Sequence, residues 1–160
     1  MGTHKIKTLG AECLRQKSKP ALPWEENEAC FILDEMSRVM RECKGVGLAA
    51  PQIGINKRII ILDCGNSILE MINPEISTAE GSIQITEACL SIPGAEVKPK
   101  RAGEIRVKGL DRNFKPVRFY LKGLPAVIAQ HEIDHLDGIL ITDYLTAVDK
   151  KVLQKPWKKN

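Results

Sequence analysis

The spacing of apolar residues predicts a first amphipathic helix over about positions 24–44. Its apolar side chains recur every three or four residues, which places them on one helical face; they are Leu33, Met36, Met40 and Cys43. Lys44 followed by Gly45 is a typical end of a helix. We therefore expect this helix to pack its apolar face on the protein core.

A second helix is predicted to begin near Leu124. Pro125 stands at an early position, where its missing N–H is not needed, and Gly138 is placed to end the helix. One face of this helix carries Val127, Ile128, His131 and His135. Two histidines therefore lie on an otherwise aliphatic face.

Between the two helices the pattern is typical of β-strands. The β-branched run at 58–64 predicts a buried strand, and 70–76 predicts a short strand that Pro74 stops. Residues 104–110 and 117–121 alternate apolar and polar positions on either side of a turn-forming segment. This arrangement predicts a β-hairpin.

Two further stretches, 45–54 and 86–94, are rich in small residues and are expected to be loops. A short third helix is expected after Thr146. The order helix, strands, helix predicts an α+β fold in a single domain over 1–160, with antiparallel-rich sheets packed around a central helix that carries both histidines.

Composition narrows the class of protein. The chain has 160 residues, 43% of them hydrophobic and 28% charged, and a net charge of +4, which permits an anionic partner without requiring one. Its polar, basic start does not resemble a secretory signal, and no apolar run approaches the roughly 20 residues that span a bilayer. Five cysteines without a pairing pattern favour free thiols. We expect a cytoplasmic protein that binds neither membrane nor DNA.

The segment "QHEIDH" carries the clearest chemical pattern in the sequence. Residues four apart on a helix lie on one face, so His131 and His135 can direct two imidazole nitrogens at one cation. Glu132 is rotated by about 100° from His131 and can take a proton from water bound to that cation. The pattern also occurs by chance among ordinary residues, but the aliphatic face favours a metal site.

A metal site needs at least three protein ligands, so a third must come from elsewhere. His4 lies in a terminus, where chains often fray, and Asp143 is more typical of a turn or cap. The other cysteines lie in predicted elements or stand alone; they are Cys13, Cys30, Cys43 and Cys64. Elimination leaves Cys89, although a lone cysteine is more often an inert buried thiol.

The glycine-rich stretch "GVGLAAPQ" at 45–52 adds a second chemical element. Gly45 and Gly47 allow close approach of a ligand, and the Gln52 amide can donate a hydrogen bond to a developing oxyanion. The alternative is a plain turn whose small residues pack against a helix.

Taken with "EACLS" at 87–91 and "QHEIDH" at 130–135, this stretch resembles the signature motifs of the peptide deformylases, in order and separation. The resemblance implies a metal-dependent hydrolase that removes the formyl group from formyl-methionine of nascent polypeptides and releases formate. It implies one divalent metal ion, Fe²⁺ in the cell and Zn²⁺ or Ni²⁺ in purified protein. The basic C-terminal tail is a candidate contact with the ribosome.

The resemblance also assigns roles to individual residues. The metal ligands would be Cys89, His131 and His135, and Glu132 would be the general acid and base. The oxyanion donors would be the Gln52 side chain and the Leu90 backbone N–H. Substrate backbone would pair with Val46 and Gly47, and the methionine pocket would be lined by Val46, Ile85, Leu124, Val127 and Ile128.

Two residues depart from the family pattern. Ala88 stands where the family usually has glycine, which would add strain if that position required a positive φ. Glu96 stands where some members carry arginine. Two other functions remain open: a metallopeptidase, which would need a further downstream ligand, and a non-catalytic, ribosome-binding module with a closed, four-ligand structural zinc site.

Overall fold

Two α-helices and seven strands form the part of the chain that the computed structural model describes, residues 4–65 and 67–145. The helices are α1, Glu26–Glu42, and α2, Leu124–Leu136. The strands are β1 Gly47–Ala49, β2 Ile59–Asp63, β3 Ile68–Glu80, β4 Glu87–Cys89, β5 Ile92–Val97, β6 Glu104–Leu110 and β7 Pro116–Lys122. Short 3-10 helices lie at Glu12–Leu14, Pro23–Glu25, Ala50–Ile53 and Ile141–Tyr144.

Five of the strands form one sheet in the order β1-β2-β3-β6-β7, and β4 pairs with β5 in a separate hairpin. Every pairing is antiparallel. The predicted hairpin is confirmed, with β6 and β7 in register from Glu104 opposite Lys122 to Leu110 opposite Pro116. The predicted α+β class with antiparallel-rich sheets is therefore correct.

Helix α1 covers one side of the large sheet. Three of the four apolar residues predicted to face the core, Leu33, Met36 and Met40, are buried and pack with Ile59 and Ile61 of β2 in one hydrophobic cluster. The prediction is wrong for Cys43, which is exposed because the helix ends before it. The helix is two residues shorter than predicted at each end, because a 3-10 turn at Pro23–Glu25 precedes it and Cys43 caps it.

Helix α2 is the central helix. Its residues Ala126, Ala129, Ile133 and Leu136 pack with apolar side chains of the sheet, while His131 and His135 are buried on the side of the β4–β5 hairpin. Gly138 follows the helix with φ +74°, and a Cβ there would lie 2.5 Å from the Arg15 carbonyl oxygen. A helix buried on several sides is apolar around most of its surface, which agrees with the sequence of α2.

The prediction that Pro74 stops a short strand is wrong, because β3 continues through it to Glu80. The pairing of β3 with β6 shifts between Ile72 and Glu75, and Asn73 adopts a positive φ of 51°. An irregular ladder of this kind leaves a position where no backbone N–H is required, so proline is tolerated. The Asn73 side chain exchanges two hydrogen bonds with Ala21, at 2.9 and 2.8 Å.

The two predicted loops also contain regular structure. Residues 45–54 include β1 and a 3-10 helix, and residues 86–94 include β4 and the start of β5. These strands are only three residues long or are interrupted by Pro93 and Gly94, so local sequence does not distinguish them from loops. The helix expected after Thr146 lies outside the described residues.

Over residues 4–65 and 67–145, the structure has no helix that is both long enough and apolar enough to cross a membrane.

Candidate metal centre and active site

The candidate metal site begins with one turn of α2. His131 and His135 lie one turn apart, with ring centroids separated by 4.9 Å and ring planes at 74°. Both side chains are almost fully buried, at 7% and 1% exposure. The helix therefore presents two imidazoles to one interior point.

Cys89, the last residue of β4, faces the two histidines. Its Sγ lies 3.3 Å from Nε2 of His135, and the potential ligand atoms of all three residues lie within 4.8 Å of one another. Ligand atoms around a tetrahedral zinc ion lie about 3.3–3.6 Å apart. The three side chains thus fit a small cation with only slight adjustment.

The other candidates for a third ligand have different partners. His4 Nδ1 lies 3.2 Å from Glu35, and Asp143 forms an ion pair with Arg15 at 2.6 Å. Asp143 also accepts a hydrogen bond from the Leu140 N–H at 2.9 Å, which is the predicted role of a cap. All five cysteines are free, and Cys89 is the buried one. The expected grouping of Cys89 with the two histidines is confirmed.

A carboxylate fixes the orientation of His131. Glu87 Oε2 lies 2.8 Å from His131 Nδ1, and because a carboxylate only accepts, that nitrogen carries the proton. Burial raises the pKa of Glu87, but hydrogen bonds from His131 and Arg101 lower it overall below its usual value. Nε2 of His131 is then available to a cation, as in many metal sites.

Arg101 holds this carboxylate in turn. Its guanidinium donates two hydrogen bonds to Glu87, at 2.8 and 2.9 Å, and a third to Asp134 of α2 at 2.6 Å. The Tyr144 hydroxyl donates to the same Asp134 oxygen at 2.8 Å. Sequence patterns do not indicate Arg101 or Tyr144, because neither belongs to a motif and only the fold brings them behind His131.

Burial sets the protonation of the two histidines differently. Burial, followed by the charges of His131 and Arg101, lowers the pKa of His135 to about 3, so its imidazole is neutral and able to bind a cation. Burial also lowers the pKa of His131, but contact with Cys89 and the hydrogen bond to Glu87 raise it to about 10 overall. A metal ligand must be neutral, so metal binding at His131 would release a proton.

Glu132 lies beside the histidines and is not grouped with them. It is 4% exposed, burial raises its pKa to about 7, and its Oε2 has no hydrogen-bond partner within the described residues. A carboxylate whose pKa lies near neutrality can accept and return a proton at physiological pH. This is the property that a general acid and base needs.

Gln52 is fixed by hydrogen bonds at both ends of its amide. Its Oε1 accepts from the Ala49 N–H at 2.8 Å, and its Nε2 donates to Ser91 Oγ at 3.2 Å and lies 3.6 Å from Cys89 Sγ. The amide N–H groups therefore point toward the metal cluster. Ser91 is an unpredicted partner of Gln52, because the two residues are far apart in sequence.

An open cleft of about 360 Å³ leads to this cluster. Its described lining consists of Lys44, Gly45, Val46, Gly47, Gln52, Ala88, Cys89, Leu90, Pro93, His131 and Glu132. A side pocket of about 110 Å³ adjoins it and shares Val46, Ala88, His131 and Glu132. The five residues predicted to line a methionine pocket all line this side pocket: Val46, Ile85, Leu124, Val127 and Ile128.

The two glycines at the cleft are required by packing within the protein. A Cβ at Gly47 would lie 2.5 Å from Glu132 Oε1 and 2.7 Å from Ile128, and one at Gly45 would lie 2.9 Å from Leu90. Side chains of α2 and of the β4–β5 turn therefore occupy the space beside these glycines, where a ligand was predicted to approach the backbone.

Strand β1 nevertheless offers backbone groups to the cleft, because it is the edge strand of the sheet. The Val46 carbonyl accepts from the Asp63 N–H on β2 at 2.9 Å, and the Ala49 N–H turns the other way to Gln52. Backbone groups of successive residues alternate in direction. The N–H and C=O of Gly47 therefore face the open edge.

Neither departure from the family pattern introduces a positive φ. Ala88 is exposed in β4, lines both the cleft and the side pocket, and is not among the described residues with a positive φ. Glu96 is exposed on β5, with its backbone paired to Ala88. The expected strain at Ala88 is therefore absent.

Comparison with known proteins agrees with this geometry. The family model described as Polypeptide deformylase matches residues 3–151. A peptide deformylase of Pelotomaculum thermopropionicum is 45% identical over 152 residues, which cover 95% of this chain and 97% of that protein.

Solved structures show the same fold. The crystal structure of a peptide deformylase from Legionella pneumophila has a TM-score of 0.90 and 36% identity, covering 96% of this chain and 92% of that chain. A class I type b peptide deformylase from Acinetobacter baumannii with Met-Ala-Ser bound has a TM-score of 0.85 and 32% identity. The match covers 89% of this chain and 99% of that chain. This chain belongs to the polypeptide deformylase family, the metal-dependent hydrolases that remove the N-terminal formyl group from polypeptides.

Proposed function

We propose that deformylation in this chain uses one divalent cation held by Cys89, His131 and His135, with Glu132 as general acid and base. When bound, the cation supplies Lewis acidity at the reacting carbonyl. Glu132 accepts a proton from the attacking water and returns it to the leaving amine. The observation that carries this proposal is the buried Glu132 carboxylate beside the three-residue cluster at the end of an open cleft. Its Oε2 has no hydrogen-bond partner among the described residues.

Gln52 and Leu90 are proposed to stabilise the charge that develops on the formyl oxygen. The Gln52 amide is held with its N–H groups toward the cluster, and Leu90 follows Cys89 in the tight turn between β4 and β5 and lines the same cleft. Donors fixed before the reaction need no reorganisation, and loss of one typically lowers the rate by about 100-fold or more.

The proposed substrates are nascent formyl-methionyl peptides. The aliphatic side pocket accepts the methionine side chain, and the open edge at Val46 and Gly47 pairs with the substrate backbone as an added strand. The binding of Met-Ala-Ser by the Acinetobacter baumannii relative supports a peptide that begins with methionine as the ligand.

We propose Fe²⁺ as the metal in the cell, with Zn²⁺ or Ni²⁺ in purified protein. One thiolate and two imidazoles suit each of these ions, and a site of this type binds Zn²⁺ and Ni²⁺ more tightly than Fe²⁺. Exchange during purification would therefore favour the tighter ions.

We also propose that residues 1–160 form one catalytic domain in the cytoplasm, and that the C-terminal tail contacts the ribosome. The family match over 3–151 supports the single domain. The tail lies outside the described residues, and its sequence supports the proposal through five lysines, Lys150, Lys151, Lys155, Lys158 and Lys159. Such a cluster favours contact with phosphate groups of RNA.

The two other functions have less support. A closed structural zinc site has four protein ligands, whereas the cluster among the described residues has three, the number typical of catalytic zinc sites. A structural site would also leave Glu132 without a role. A metallopeptidase would need a further ligand downstream of His135, and Asp143 is instead paired with Arg15.

Formate release from formyl-Met-Ala-Ser by Fe²⁺-loaded wild type and Glu132→Gln tests the mechanism. We expect equal metal content and a kcat at least about 100-fold lower in the variant, since general acid–base catalysis typically contributes 10²–10⁴-fold. Glu80→Gln, an exposed residue at the end of β3, is the control. A decrease of less than tenfold for Glu132→Gln would remove Glu132 from the mechanism.

A further inference from the structure

Lys44, at the end of α1, has a left-handed backbone conformation that is unfavourable for a residue with a side chain. Its N–H donates to the Arg41 carbonyl at 3.1 Å and the Gly45 N–H donates to the Met40 carbonyl at 2.9 Å, the paired bonds of a Schellman helix end. This ending requires a left-handed residue, and Lys44 has φ 54°. Glycine is the usual residue here because a side chain destabilises this conformation.

The Lys44 side chain does not offset this strain with bonds inside the protein. No hydrogen bond or ion pair joins it to any residue in the described segments 4–65 and 67–145. It lines the cleft that leads to the metal cluster, and it is the only lysine or arginine in the described lining. Residues held in unfavourable conformations often serve function.

The order of lining residues gives the direction of a bound peptide. Gly47 lies against Glu132, Val46 lines both the cleft and the side pocket, and Gly45 and Lys44 continue the same wall away from the cluster. A peptide whose formyl group is at the cluster and whose methionine fills the side pocket then passes Lys44 as it leaves.

Spacing identifies the peptide position that reaches Lys44. The segment from Gly47 back to Lys44 bends at Val46 and ends in the left-handed Lys44, so it spans at most about 10 Å, the length of three extended residues. Two or three residues of the peptide cover this distance beyond the methionine. Its third or fourth residue is therefore beside the ammonium group.

We propose that Lys44 determines substrate specificity by favouring formyl peptides with an acidic third or fourth residue. This inference rests on the proposed function, because it assumes that the formyl group is at the metal cluster. An exposed ion pair contributes up to about a fivefold preference. Attraction of glutamate together with repulsion of lysine gives an expected three- to tenfold discrimination.

The test compares kcat/KM for formyl-Met-Ala-Glu-Ala and formyl-Met-Ala-Lys-Ala, and for the pair with Glu or Lys at the fourth position. We expect Fe²⁺-loaded wild type to prefer the glutamate peptide in at least one pair by three- to tenfold. The ratio of kcat/KM for the glutamate peptide to kcat/KM for the lysine peptide should approach one in Lys44→Gln and fall below one in Lys44→Glu. In wild type it should decrease in 1 M salt, where the screening length is about 3 Å.

Two further variants separate charge from folding. Lys44→Gly removes the ammonium and relieves the backbone strain, so the thermal midpoint should rise while the discrimination is lost. Lys17→Glu makes the same change in net charge as Lys44→Glu, but at an exposed residue outside the cleft, and it should keep the wild-type ratio.

Equal ratios in wild type, Lys44→Gln and Lys44→Glu, with all peptides turned over, would overturn this inference and leave the proposed function intact. An equal shift in Lys17→Glu and Lys44→Glu would also overturn it, because the effect would then come from net charge. Absence of formate from every peptide would instead overturn the proposed function, and this inference with it.

Discussion

Glu132 follows His131 in sequence, yet its carboxylate points to the cleft beside Gly47 while the imidazoles meet Cys89. The helical rotation of about 100° per residue separates these directions. Removal from water then raises the pKa of Glu132 to about 7. One turn of helix therefore provides two potential ligands and one potential base.

Cys89→Ala tests the ligand assignment at this scale. We expect metal content to fall from about one ion per chain to near zero, because the loss leaves two imidazoles where stable sites use at least three protein ligands. Metal analysis of the purified protein measures this. Cys13→Ala and Cys64→Ala are the controls, since the Cys13 thiol is half-buried, the Cys64 thiol is exposed, and both lie outside the cluster. Wild-type metal content in Cys89→Ala would contradict the assignment.

The sequence allowed prediction of the grouping of Cys89 with the two histidines but not of the residues behind it. Helical spacing alone places the histidines together, and elimination together with a family resemblance indicated the cysteine. Glu87, Arg101 and Asp134 come from three separate parts of the chain and contact one another only in the folded protein. Periodicity contains no information about such contacts.

At the scale of elements, the site depends on the contact between β1 and α2. Gly47→Ala would place a methyl group 2.5 Å from Glu132 Oε1 and 2.7 Å from Ile128. We expect a loss of about 1–3 kcal/mol in the free energy of unfolding, as for other overpacked interiors. Displacement of Glu132 should also lower kcat by up to about 100-fold.

Gly103→Ala is the matched control for this change, because its nearest neighbours would be 3.8 Å away, an ordinary contact distance. Denaturant unfolding and formate release measure the two effects. A Gly47→Ala protein with the stability and kcat of Gly103→Ala would show that the contact between β1 and Glu132 is not tight.

Arg101 joins the β4–β5 hairpin to α2, since it contacts Glu87 on one and Asp134 on the other. Arg101→Met should lower the free energy of unfolding by about 3–5 kcal/mol, because it removes the guanidinium that is paired with the buried Glu87 carboxylate. Metal affinity should fall by about 10- to 100-fold as His131 loses its fixed orientation.

Thermal unfolding and metal titration measure these changes, with Arg118→Met as the control because Arg118 is exposed on β7. Unchanged metal affinity in Arg101→Met would mean that Glu87 orients His131 without help from the arginine.

Sequence patterns predicted both helices and the β6–β7 hairpin well, but they missed the two three-residue strands. Helices α1 and α2 and the β6–β7 hairpin have enough turns or alternating positions to show their period. Strands β1 and β4 have three residues each, which is too few for a period to be visible. They are strands because neighbouring segments supply their hydrogen bonds, and this depends on tertiary structure.

At the scale of the whole molecule, Cys89 is positioned by segments far apart in sequence. The β4–β5 hairpin packs in a small cluster with Leu14 before α1 and with Leu140 and Ile141 after α2. The ion pair between Arg15 and Asp143 joins the same two segments. The thiol and the histidines therefore meet only when the described chain is folded, so metal binding should also stabilise the fold.

Titration of metal-free protein with Fe²⁺ under anaerobic conditions tests the central claim most directly, with bound metal and formate release from formyl-Met-Ala-Ser followed together. We predict that activity rises in proportion to bound metal, reaches its maximum at one ion per chain, and is absent without metal. Formate release by metal-free protein, or full metal binding without formate release, would contradict the account of Cys89, His131 and His135 as the ligands of a catalytic metal.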